Sequence, residues 1–180
     1  AGKAASERSK VFLETLEPEL AEAGIRRVPP GALHPRQSKQ LEQVFDDEIS
    51  SVLTPMAVTS SDDFPLLINQ SMNVCVQVAP AKVDPKKKPR FAIGPFGRST
   101  SRFVTRPSDG GYEFMLLEDV VGMFVERFFP GETIRECVPF RITRNADFSV
   151  REDLAPDLLA EMEEVLEARR ARAQPLVQHL

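Results

Sequence analysis

Apolar positions recur at helical spacing in some stretches of the chain and alternate with polar ones in others, and their order sets the expected fold. Between Glu7 and Ala23, the residues Val11, Phe12, Leu16, Leu20 and Ala23 fall near one helical face, and Gly24 supplies a stop. Ile25 to Val28 then reads as a short strand, cut off by Pro29-Pro30. A second helix is expected from about Pro35 to about Ser51, its face marked by Leu41, Val44, Phe45, Glu48 and Ile49. Val52 to Val58 is apolar but interrupted by Pro55, which assigns it to an extended connector or a sheet edge. Phe64-Pro65 marks a further turn.

Met72 to Val78 alternates strictly, with Met72, Val74, Val76 and Val78 on one face and Asn73, Cys75 and Gln77 on the other, as a strand does. Arg90 to Ile93, Ser101 to Thr105 and Tyr112 to Met115 give three more short strands, separated by turns at Gly94-Pro95, Gly97 and Asp109-Gly110-Gly111. An antiparallel meander is expected from this run. Leu117, Val120, Val121, Phe124, Val125 and Phe128 form the most apolar helical stripe, ended by Pro130-Gly131. A long strand from Thr133 to Asn145 precedes a final helix marked by Leu154, Leu158, Met162, Val165 and Leu166, and Gln174 to Leu180 is a candidate last strand. The resulting class is α/β, bordering on α+β: a mixed sheet with an antiparallel meander and flanking helices.

The 180 residues are enough for one domain with an ordinary core, and no apolar run reaches the length of a bilayer span. The polar first ten residues carry no secretory signal and no initiating Met, as expected of a piece cut from a longer chain. Cys75 and Cys137 each stand alone in apolar runs and read as reduced core residues. His34 and His179 are too few and too isolated for a histidine metal site or a Ser-His or Cys-His pair.

Charge is unevenly distributed. The net charge of -4 argues against a surface that tracks nucleic acid throughout, yet Lys82 to Arg106 carries eight basic residues and one acid, +7 locally against -11 elsewhere. Lys86, Lys87, Lys88 and Arg90, with Arg98 and Arg102 beside them, could attract a polyanion; a solvated loop that blocks strand addition would use the same residues. A second candidate is the run Pro139-Phe140-Arg141-Ile142-Thr143-Arg144-Asn145-Ala146-Asp147. If it is extended, Arg141, Thr143 and Asn145 share one face and Phe140, Ile142 and Arg144 the other, placing a row of donors where an anion could bind. Ion pairs between these arginines and nearby carboxylates are the competing reading.

Other motifs fail on spacing. Gly94-Pro95-Phe96-Gly97-Arg98-Ser99-Thr100 has two residues where a phosphate loop needs four, an Arg for its Lys, and a Pro that removes an amide donor. Asp46-Asp47-Glu48 and Glu161-Glu163-Glu164 read as solvated helix faces. Asn69, Gln70, Ser71 and Asn73 form a polar patch of the kind that satisfies loop backbone groups or binds a ligand.

Several blocks in order carry a family resemblance. They are Leu20-Ala21-Glu22-Ala23-Gly24-Ile25, Ser51-Val52-Leu53-Thr54-Pro55-Met56-Ala57-Val58, Phe64-Pro65-Leu66-Leu67-Ile68-Asn69-Gln70-Ser71-Met72-Asn73, Leu116-Leu117-Glu118-Asp119-Val120-Val121 and Phe128-Phe129-Pro130-Gly131. With the Pro139 to Asp147 run, they make the chain from about Phe12 to Ala173 resemble the middle, or head, region of the long bacterial polyphosphate kinases. The resemblance implies a phosphohistidine-phosphatase-like head domain at 25–180, preceded at 1–24 by a helix ending or linking a helical domain. It implies a parent that moves the terminal phosphate of ATP onto polyphosphate through a phosphohistidine, with magnesium, in the cytoplasm.

In that family the phosphorylated histidine, its metal-binding arginines and most nucleotide contacts belong to the C-terminal half, and an adenine-contacting asparagine to the preceding domain. No catalytic residue carries over, and the isolated segment is expected to be inactive and to bind neither ATP nor magnesium alone. Its expected partners are polyphosphate, the parent's other domains and a second copy in a homo-oligomer, with the Phe128-Phe129 helix a candidate interface. No specific nucleic-acid partner is expected. A stand-alone polyanion-binding module using Lys86, Lys87, Lys88 and Arg90, with Arg98 and Arg102, is the alternative; Arg141, Arg144 and Asn145 are candidates for polyanion binding, for positioning the tunnel or for bracing the domain interface. Three features depart from the family: Thr59 to Asp63 lacks a frequent His and Pro, Gln70 replaces a usual Leu, and the Pro80 to Pro89 loop has an unusual charge.

Overall fold

The computed structural model describes residues 2–60, 63–79, 90–97, 100–108, 111–142, 160–162 and 164. Its residues fall into two compact units, one of Ala1–Phe45 with Ser101–Met123, the other of Asp46–Thr100 with Phe124–Leu180.

The first unit opens on helix α1, Gly2–Val11, a π-helical turn Phe12–Leu16, and α2, Glu17–Glu22. Gly24 ends α2 at φ 85°, a left-handed position that Gly adopts without steric cost. The helical spacing is present, but its apolar side is not buried: Val11, Phe12, Leu13, Leu16 and Leu20 are all exposed. Strand β1, Ile25–Arg27, follows; after a 3-10 turn at Pro30–Ala32, α3 spans Pro35–Val44. Pro35 opens α3, where its missing N–H costs nothing, and the His34 N–H donates to Gln37 Oε1 at 2.9 Å.

Strands β5, Phe103–Ser108, and β6, Gly111–Leu116, complete a three-stranded sheet in the order β1-β6-β5. β1 runs parallel to β6, with Ile25 opposite Tyr112 and Arg27 opposite Phe114; β5 runs antiparallel, with Phe103 opposite Leu116. The parallel pair begins where two glycines meet: Tyr112 N–H donates to Gly24 O at 2.8 Å, and a Cβ on Gly111 would lie 2.1 Å from that oxygen. Helix α4, Leu117–Phe124, leaves β6 with Glu118 and Asp119 in its first turn, where carboxylates complement the helix dipole. It buries Leu117, Val120 and Val121, and Leu41, Phe45 and Met115 are also buried in this unit. Arg27 lies 3.6 Å from Glu17 and 3.3 Å from Asp119.

The second unit holds an antiparallel sheet, β2-β4-β3-β7, made of Met56–Val58, Arg90–Pro95, Met72–Ala79 and Thr133–Arg141. β2 is at an edge, the position expected for the run that Pro55 interrupts. β3 is central, and every residue from Asn73 to Ala79 is buried, so both of its alternating faces are covered. Val58, Leu67, Cys75, Phe91, Ile93, Val138 and Met162 form one core cluster, with Phe64, Phe140 and Ile142 packed against it. Between Gln77 opposite Glu136 and Val78 opposite Ile134 the register slips by one residue, a bulge at Arg135. The apolar stripe after Leu117 continues past α4 as a 3-10 turn, Val125–Phe128.

The α/β class is as expected, with one difference in arrangement. The strands expected to form a single mixed sheet divide between two sheets: β3 and β4 pair in one, β5 and β6 in the other. Arg98, Ser99, the Asp109-Gly110 turn, the Lys82 to Lys88 loop, residues 143–145 of the long strand, most of the final helix and Gln174 to Leu180 lie outside the described residues.

Candidate functional site

The two candidate anion sites meet the structure at Arg90 and Arg141, because Lys86, Lys87, Lys88, Arg144 and Asn145 lie outside the described residues. Arg90 opens β4, exposed, and its guanidinium donates to Glu132. This is the ion-pair reading, and it occupies the cation. Arg141 ends β7 opposite Met72, exposed, with no ion pair to another described residue.

Alternation at the end of β7 is as expected. Phe140 and Ile142 pack on the core cluster, which turns Arg141 to the other face. Arg90 is opposite Val78 and Arg141 opposite Met72, six residues apart along β3. At strand rise this separates the two backbone positions by roughly 20 Å. The structure therefore does not bring them together around one phosphate group, although an extended polyanion could reach both.

Arg102, a neighbour of the basic segment, is also committed. Its Nε donates to Glu118 Oε1 at 3.0 Å, and the pair holds the guanidinium above its ordinary pKa against the opposing effect of burial. Gly94 and Pro95 sit within β4, opposite Val74 and Asn73, which rules out a phosphate-cradling loop there. A Cβ on Gly94 would come within 3.0 Å of Val74 Cγ1, so this glycine serves packing.

The polar patch serves its own loop. Gln70 takes a left-handed φ of 61° and donates its N–H to Ile142 O at 2.8 Å, tying the loop to the end of β7. Ser71 Oγ donates to Ile68 O at 2.7 Å and Asn73 Nδ2 to Ser71 O at 3.0 Å. Asn73 is fully buried, and among the described residues its Oδ1 meets no donor. Asp46, Asp47 and Glu48 are exposed, and Asp46 accepts from Arg127. Among the described residues no three His, Cys, Asp or Glu side chains converge as metal ligands, and no helix is long and apolar enough to cross a membrane.

The sequence reading missed one surface. On the three-stranded sheet, Phe103 and Tyr112 are 53% and 68% exposed, although their alternation with Val104 and Glu113 was visible in the sequence.

Comparison with known proteins places these features in a family. The model of the polyphosphate kinase middle domain matches residues 36–176. The chain is 39% identical over 164 residues to a polyphosphate kinase of Halalkalibacterium halodurans, covering 91% of this chain and 23% of that protein. A polyphosphate kinase of Mycobacterium leprae is 35% identical over 184 residues, covering 92% and 24%. The chain thus spans about a quarter of the length of the curated relatives it matches. The crystal structure of polyphosphate kinase from Porphyromonas gingivalis resembles the fold with a TM-score of 0.70 at 24% identity, covering 79% of this chain and 22% of that one.

Proposed function

This chain belongs to the polyphosphate kinase middle-domain family, and we propose that it is the head segment of a longer polyphosphate kinase, an ATP:polyphosphate phosphotransferase. In this reading residues 1–24 close a preceding helical domain, and 25–180 form the head domain, which scaffolds the polyphosphate path and a dimer. ATP, magnesium and the phosphohistidine belong to polypeptide outside the segment, in a cytoplasmic enzyme. The observation that carries the proposal is the match over residues 36–176 combined with coverage of only 23% of a relative's length. Exposed Val11, Phe12 and Leu16 on the first helices fit a neighbouring helical layer.

Assay of acid-insoluble phosphate polymer from ATP tests the division of labour. The whole reading frame should make polymer and the 180-residue chain alone should not. Synthesis by the isolated chain would overturn the proposal.

Polyanion binding by the segment itself is a second reading, favoured by exposed Arg141 and by the local charge of Lys82 to Arg106. It predicts polyphosphate affinity that falls steeply with salt, and more shallowly after Lys86, Lys87 and Lys88 are replaced by Ala. An unchanged salt slope would remove the Lys run from the site. The Arg141→Ala variant tests the β7 end separately.

A further inference from the structure

The β1-β6-β5 sheet carries apolar side chains on the face turned away from its own core. Met115, fully buried, and Val104 opposite it point to the core side. One residue along each strand the side chains point the other way. On that outer face Ile25 lies opposite Tyr112, Arg27 and Thr105 flank Phe114, and Phe103 lies opposite Leu116; half-buried Arg27, paired with Glu17 and Asp119, closes the β1 end and leaves the apolar part at Ile25, Tyr112 and Phe103. Ile25, Phe103 and Tyr112 are 39%, 53% and 68% exposed, and Phe103 stacks edge-on against Phe114 with centroids 5.3 Å apart. A solvent-facing sheet side normally alternates to polar residues, whereas this one is the more apolar of the two at these rungs.

We infer that the outer face of the β1-β6-β5 sheet, centred on Phe103 and Tyr112, docks an apolar layer from the part of the same polypeptide that lies outside these 180 residues. The inference rests on the head-segment reading, and two arguments select this occupant over a second copy. The chain spans 23% of a relative's length, so on the head-segment reading most of the polypeptide lies outside these residues and is covalently tethered to them. Tethering supplies an effective concentration on the order of millimolar, which a separate copy lacks. The exposed side chains offer on the order of 400 Å². That falls short of the roughly 800 Å² per partner of a standard stable interface but suits part of a contact between domains of one chain.

Hydroxyl-radical footprinting read by mass spectrometry tests this on the protein as its reading frame encodes it, with exposed Leu66 as the internal reference. Phe103 and Tyr112 should be oxidised at least about five-fold more slowly than in the 180-residue chain, at every protein concentration. Equal rates in both proteins would overturn the inference. So would protection that is lost on dilution, since that assigns the face to a second copy, and so would a reading frame that supplies no further polypeptide. Polymer synthesis by the same preparation reports on the head-segment reading separately: an active enzyme with Tyr112 unprotected would sink only the docking.

Discussion

Arg102 grips the carboxylate of Glu118 with its guanidinium fork, Nε lying 3.0 Å from Oε1 and 3.3 Å from Oε2 while Nη2 also donates to Oε1. One residue before Glu118, the Leu117 N–H donates to Arg102 O at 2.8 Å, so backbone and side chain together fasten the start of β5 to the start of α4. The two partners differ in burial: the Glu118 side chain is 7% exposed, that of Arg102 48%. Arg102→Ala strands a buried carboxylate, whereas Glu118→Ala leaves a guanidinium that water can solvate. The first should cost about 2–3 kcal/mol and the second about 1 kcal/mol in urea denaturation. The pair raises the Arg102 pKa further above a value that is already high, so its charge persists through the whole working pH range and is lost only in strong alkali. Equal losses from the two variants would mean that the carboxylate is solvated.

Two glycines give opposite expectations. Gly111→Ala would place a Cβ 2.1 Å from Gly24 O, an atom fixed by its bond from Tyr112 N–H, and backbone must move. It should destabilise the chain by about 1–3 kcal/mol. Gly122 lies within α4 with no described residue within 4 Å of its Cβ position. Gly122→Ala should therefore stabilise by about 0.5–1 kcal/mol, through helix propensity and reduced freedom of the unfolded chain. Thermal melts of the two variants should shift in opposite directions.

The elements that were legible in the sequence are those set by local rules. Period-two alternation from Met72 to Val78 marks β3, Gly24 stops α2, and the Pro55-interrupted run leads into the edge strand β2. Pairing between distant segments was not legible. Nothing near Ile25 announces a parallel partner at Tyr112, and two strand runs with similar alternation give no sign that β4 and β5 belong to different sheets. The same limit applies to the candidate site. Residue types identified Arg90 and Arg102 as cations, but their partners Glu132 and Glu118 lie 42 and 16 residues away. Alternation at Phe140, Arg141 and Ile142 was readable because the strand is regular there.

Cys75 and Cys137 should differ in reactivity and should not pair. Cys75 is opposite Val138 and Cys137 opposite Val76, which turns the two thiols to opposite faces of the sheet. Burial, with a smaller contribution from Cys137, pushes the Cys75 thiol up from 9.0 to about 12. A thiol reagent at pH 8 should modify half-buried Cys137 first and reach Cys75 only as the chain unfolds. The raised pKa contributes stability in full below about 9. That contribution falls as pH rises from about 9 to about 12, where the unfolded thiol ionises and the folded one does not. In Cys75→Ala this alkaline loss should be smaller, which denaturation at pH 8 and pH 10 would reveal.

Asp63 gives the acid-side counterpart. Its carboxylate accepts from Thr59 Oγ1 and, at 3.1 Å, from Ser60 Oγ, and these bonds hold its pKa below the usual 3.8. Because the folded value is the lower one, the contribution is present above the unfolded pKa and is lost as pH falls through the folded value. Thr59→Val removes the hydroxyl responsible for the largest part of the shift while keeping the side chain's shape. The Asp63 midpoint should then move up towards the ordinary carboxylate value in a carbon-detected NMR titration, and Ser60→Ala should move it by less. A midpoint unmoved by Thr59→Val would show that this hydroxyl does not bond the carboxylate in solution.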